Sequence, residues 1–164
     1  MIKRVVNAVR RNHALEHATV SILLSRHGPH TRVLGRAAAD GFYIYGDIPT
    51  EALEEFAHEG LARLQRGESH LAVSPMCGTN LAVAGLMAGL ASLFAMGRRS
   101  GLEGLPGALM AAMLAVLAAQ PLGRLVQKHV TTSPELDGVR IVSVEPVAKR
   151  FPRLHKVRTA PIQG

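Results

Sequence analysis

The chain has 164 residues, enough for one ordinary domain or for a small domain with a membrane element, and too few for several independent cores. Its formal charge is +7 while aromatic residues make up only 4%, so there is little to stack on bases; an anionic lipid surface is the expected partner and nucleic acid is not. The single cysteine, Cys77, excludes an intramolecular disulfide framework, and no short apolar run with a small-residue cleavage site follows the basic first residues, so no removable secretion signal is expected.

In chain order, Val5 to Arg26 lacks Pro and Gly and predicts a helix, stopped by the breaker pair Gly28-Pro29. V-L-G-R-A-A-A-D-G-F-Y-I-Y-G-D-I then predicts two strands turned at Asp40-Gly41, a strong hairpin dipeptide. Pro49-Thr50-Glu51 opens a second helix that runs to about Arg66. After Gly67, H-L-A-V-S-P predicts a short strand leading into M-C-G-T-N.

Thr79 to Met96 is eighteen residues without a charge, and Leu105 to Val126 carries one charge, Arg124, near its end. A helix crosses a bilayer core with about 17 to 25 apolar residues, so the two runs, joined by the polar G-R-R-S-G-L-E-G, predict a transmembrane helical hairpin. Gly85 and Gly89, four apart, would let helix backbones approach closely in lipid, and Pro121 should kink or end the second span. Past the spans, V-R-I-V-S-V-E-P-V and L-H-K-V-R-T alternate as two more strands, able to complete a sheet begun before the hairpin.

The expected fold is thus an α+β membrane protein: a small α/β portion with a two-helix transmembrane hairpin inserted in it. Residues 1–76 form an N-terminal polar portion, 77–127 the hairpin, and 128–164 the strands that complete the polar part. A two-span hairpin puts both flanking segments on one side. Arg63, Arg66, Arg124 and Lys128 against Arg98 and Arg99 of the turn place that side in the cytoplasm, at a bacterial inner membrane.

The chemistry concentrates in R-N-H-A-L-E-H-A-T-V, Arg11 to Val20. His13 and His17, four apart on a helix, share a face about one turn apart, with Glu16 beside them. Two imidazoles at that spacing can hold zinc, and the glutamate is placed as a base for water; this is the H-x-x-E-H pattern, the inverse of H-E-x-x-H. The bland alternative is two locally bonded histidines with a solvated acid.

A catalytic zinc needs a third protein ligand and an open position. Cys77 is the first candidate, since C-G-T-N supplies a thiolate at a helix start; the alternative there is a structural cysteine beside an N-cap. His70 could ligate or orient a ligand, as could Glu54, Glu55 or Glu59 on the second helix. His27, His30, His58 and His129 read as surface groups, and Met87, Met96, Met110 and Met113 as packing. The basic C-terminal segment, including Lys149 and Arg150, reads as a phosphate-headgroup contact.

H-A-L-E-H-A-T together with H-L-A-V-S-P-M-C-G-T-N resembles an uncharacterised family of small bacterial membrane proteins, a domain of unknown function, over most of the chain. The two motifs alone are similar to the YqhQ-like membrane family. The resemblance implies that His13, Glu16, His17, Cys77, Gly78 and Thr79 form one functional set. Those families often carry a histidine shortly before Cys-Gly-Thr, where this chain has Ser74, which weakens a ligand role at that place.

Three functions compete. In the first, a membrane-embedded zinc peptidase, His13, His17 and Cys77 hold the metal, Glu16 is the general base, and substrates are membrane-anchored peptides or lipid-linked molecules. The second is a non-catalytic, membrane-anchored metal-binding or assembly protein with a closed site, which a fourth ligand such as His70 would favour. The third makes Cys77 a nucleophile with a histidine as base. Association into a homo-oligomer is left open.

Overall fold

A computed structural model describes residues 1–28, 30–97, 101–148 and 153–162, and among them forms an α+β fold of four α-helices and one four-stranded antiparallel sheet. Pro29, Arg98, Arg99, Lys149 and Arg150, which the sequence expectations invoke, lie outside the described residues. The chain divides into two compact units, Met1–Ser74 with Thr131–Gly164, and Pro75–Val130.

In the first unit, helix α1 (Ile2–His27) is a run free of Pro and Gly that ends where Gly28, at φ 89°, turns its N–H back onto the Leu24 carbonyl. Strands β1 (Val33–Ala38) and β2 (Gly41–Gly46) form the predicted hairpin, with Ala38 opposite Gly41. Gly41 has φ 138°, and a Cβ there would overlap the Val157 carbonyl, so the Asp-Gly dipeptide serves both the turn and the close approach of the neighbouring strand. Helix α2 (Thr50–Gln65) follows Pro49.

Strands β3 (Val139–Ala148) and β4 (Leu154–Pro161) give the sheet the order β1-β2-β4-β3, so late strands complete a sheet begun early in the chain, as their alternation predicted. Phe42 pairs with Val157 and Ile44 with His155, which puts these four side chains on one face. Phe42, Ile44 and Val157 are fully buried in the cluster that includes Ala14, Leu15 and Leu23 of α1 and Leu53 and Phe56 of α2. Gly60 of α2 allows the two helices to close up, since a Cβ there would stand 3.2 Å from Ala18 Cβ and from Thr19 N.

One element departs from expectation. The segment read as a strand after Gly67 is instead a 3₁₀ turn, Ser69–Ala72, with only Val73 extended beyond it. Its two buried residues, Leu71 and Ala72, are adjacent, which suits a tight turn against α1 and not the period of a strand.

In the second unit, α3 (Gly78–Met96) and α4 (Leu105–Val126) are each long and apolar enough to cross a membrane, by length and composition. They pack along small residues of α4: Ala108, Ala115, Ala119 and Gly123 are buried, and a Cβ on Gly123 would overlap the Asn80 side chain. The expected role of Gly85 and Gly89 in this packing is corrected, because nothing lies within 4 Å of a Cβ built on either. Pro121 does not end the second helix, which continues to Val126 and then into a π turn, Gln127–Thr131. Gln127 donates to Asn80 Oδ1 at 2.6 Å.

Candidate functional site

Helix α1 carries its histidines on the face that packs into the first unit. His17 is 3% exposed, and its Nδ1 lies 2.8 Å from the Ala72 carbonyl at the end of the 3₁₀ turn. His13, half-buried, places Nδ1 3.0 Å from the Thr131 carbonyl. A carbonyl only accepts, so each Nδ1 must carry the proton, and Nε2 of each neutral ring then holds the lone pair. Both rings are fixed in the same tautomer, with centroids 4.4 Å apart. A backbone carbonyl on the far nitrogen is the usual support of a metal-binding histidine.

Glu16 is buried between α1 and β1, and its Oε2 lies 3.9 Å from His13 Nε2. The space comes from Gly35: a Cβ at that position would overlap the Glu16 carboxyl group. A glycine in mid-strand weakens β1 and is explained by this neighbour. The alternative of a solvated glutamate is therefore excluded.

Cys77, in the second unit, is half-buried and caps α3, with Sγ accepting the Thr79 N–H at 3.4 Å. His13, His17 and Cys77 form a group that could hold a metal ion, one ligand atom from each. Two imidazole nitrogens and a thiolate suit zinc in chemistry, and three protein ligands leave a fourth position.

The other predicted ligands stand elsewhere. His70 is exposed on the 3₁₀ turn and is not in the group. Glu55 and Glu59 pair with Arg26 at 3.6 and 2.8 Å, and Glu54 is exposed. His27, His30, His58 and His129 are exposed, as expected of surface groups. Met110 and Met113 are largely exposed, while Met87 and Met96 are half-buried, as expected of packing residues.

Sequence reasoning missed His155. It is fully buried on β4, with Nε2 3.1 Å from Thr50 Oγ1 and Nδ1 without a hydrogen-bond partner among the described residues. Burial, then the nearby Arg153 charge, holds its pKa below the ordinary histidine value, against a smaller opposite pull from Glu51. The signal was present in L-H-K-V-R-T: of two alternating sets, the one with Lys156 and Arg158 belongs outside the helix-covered face, which leaves His155 and Val157 facing in. Lys156 lies over the Tyr43 ring at 4.1 Å and bonds Asp40 at 2.6 Å, a bond that lowers the Asp40 pKa.

The chain belongs to the family described as DUF6391, a domain of unknown function, which it matches over residues 8–144. It is 34% identical over 142 residues to an uncharacterised protein of the cyanobacterium Picosynechococcus sp., an alignment covering 79% of this chain and 68% of that protein. No solved structure matches.

Proposed function

We propose that the protein is a membrane-embedded zinc-dependent hydrolase, a peptidase of the H-x-x-E-H kind, with its polar part on the cytoplasmic side of a bacterial inner membrane. The observation that carries this reading is the paired bonding of the two rings: Nδ1 of His13 and of His17 each lies within hydrogen-bond reach of a backbone carbonyl, which leaves Nε2 of both rings available to ligate. The donor chemistry of His13, His17 and Cys77, a group that could hold a metal ion, supports a three-residue ligand set.

In this reading His13, His17 and Cys77 hold the ion. Zinc so held acts as a Lewis acid and brings the pKa of water to about 7. Glu16 accepts the proton at its carboxylate and returns it to the leaving amine. Its burial keeps the carboxylate in place, with Oε2 3.9 Å from His13 Nε2. The apolar helices α3 and α4 support a membrane location, and with it a membrane-anchored peptide substrate.

Zinc analysis of the detergent-purified chain tests the assignment. Zinc should bind in a one-to-one ratio, disappear in His17→Ala and in Cys77→Ala, and persist in Glu16→Gln, while cleavage of membrane-anchored peptides by Glu16→Gln falls by about 10²- to 10⁴-fold. Zinc retained in both ligand variants rejects the site. Zinc lost from both, with no cleavage that depends on Glu16, favours the closed, non-catalytic site, and further loss in His70→Ala would name its fourth ligand.

A further inference from the structure

The first unit also contains a cleft of about 350 Å³ whose walls are unlike the rest of its surface. Arg4, Asn7 and Arg11 line it from α1, at the three- and four-residue spacings that put them on one helix face. Thr159 and Pro161 of β4 form part of the opposite wall, and among the described residues no acidic one lines it. Its volume falls in the range of small-ligand sites.

Asn12 gives this cleft a fixed polar floor. It is 2% exposed, donates Nδ2 to the Ala38 and Ala39 carbonyls at 2.8 and 3.2 Å, and accepts from Thr159 Oγ1 at 2.7 Å. These bonds tie α1 to the β1–β2 turn and to β4, so the two walls hold their spacing. The neighbouring Arg10 is used inside the fold, donating Nη2 to the Thr132 carbonyl at 3.1 Å.

The side chains of Arg4 and Arg11 have no hydrogen-bond or ion-pair partner among the described residues, as is also true of Arg32, Arg36 and Arg140 on the exposed surface, whereas Arg26, Arg63, Arg66, Arg153 and Arg158 each pair with an acid. Arg11 is moreover half-buried. A partly desolvated guanidinium is ordinarily matched by an anion, and no carboxylate of the cleft can serve.

We infer that this cleft is a binding site for a phosphate group, held between the Arg4 and Arg11 guanidinium groups with the Asn7 amide on the rim. Two guanidinium forks match the several acceptor oxygens of a phosphate, and charge-assisted bonds of this kind are the strong ones. The phosphate could come from an anionic lipid headgroup or from a free phosphate ion. The inference does not depend on the metal site.

The test uses the full chain in an uncharged detergent, titrated with inorganic phosphate and with short-chain dihexanoyl phosphatidylglycerol, read by calorimetry. Saturable binding should weaken by about tenfold or more in Arg11→Gln and in the Arg4→Gln, Arg11→Gln pair. Arg4→Gln alone, on an exposed first turn, should also weaken it, and guards against a folding defect. Arg36→Gln, at an exposed arginine of β1, should change nothing. Tighter binding of the lipid than of phosphate assigns the headgroup; equal binding assigns the free ion. No saturable binding of either probe, or the same loss in Arg36→Gln, overturns the site.

Discussion

Helices α1 and α3 are opposite in what they bury and what they expose. The nine buried residues of α1 include Asn12, Glu16, His17 and Thr19. None of the nineteen residues of α3 is charged, and none is buried. In α1 polar groups enter a packed interior only with partners, as when Asn12, His17 and Thr19 bond the backbone carbonyls of Ala38, Ala72 and Leu15. Leu81, Leu86, Leu93 and Phe94 of α3 instead project from the hairpin, an arrangement that water penalises and lipid does not. By length and composition α3 could meet lipid along its length, whereas α1 is packed against protein.

The sharpest way to break that contrast is a charge on α3. Leu86 is 65% exposed, so Leu86→Arg meets no packing. On a water-facing helix the change would stay within about 0.5 kcal/mol. In a spanning helix it should cost about 2.5–3.5 kcal/mol of insertion. A glycosylation-mapped insertion assay reads the difference, and unchanged insertion would remove lipid as the solvent of α3.

On the α1 side the comparison sharpens at Gly35. Alanine there drives a methyl group into the Glu16 carboxyl, which sits at the end of a flexible side chain and can swing aside. Denaturant unfolding should show a loss of roughly 1–3 kcal/mol, the usual cost of overpacking. In the proposed reading zinc is retained and peptide cleavage falls as in Glu16→Gln, because a displaced base and an absent one are alike. Full cleavage in Gly35→Ala would mean that the carboxylate need not be where Gly35 admits it.

The hairpin at Asp40-Gly41, both long apolar helices and the completion of the sheet by β4 were legible because each rests on local periodicity or on one turn dipeptide. The paired histidines were legible too, since a spacing of four on a helix is itself a spatial statement. What held them was not. The Ala72 and Thr131 carbonyls are backbone groups far from α1 in sequence, and backbone acceptors leave no mark on residue type. The 3₁₀ turn at Ser69–Ala72 was misread because four residues are too few to separate an extended period from a tight turn. Gly35 was read only as part of a strand, because its partner is the side chain of Glu16 from another element.

His155 carries the smallest of the expected effects, and the one with the clearest sign. Ile44 stands opposite it and Thr50 takes its Nε2, so the core receives a neutral ring and has nothing to offer an imidazolium. Folding therefore holds its pKa below 6.5. The unfolded chain keeps the ordinary affinity for the proton, so as pH falls below 6.5 it binds more protons than the folded one, and stability drains away. Above 6.5 both states are neutral and the contribution is fully present. His155→Leu removes the titrating group and should flatten that acid-side decline in denaturant midpoints, with little change at pH 8. If the decline survives the substitution intact, the proton is taken up elsewhere, and not at the ionic contact of Asp40 with Lys156, whose loss belongs below pH 3.8, where the carboxylate protonates.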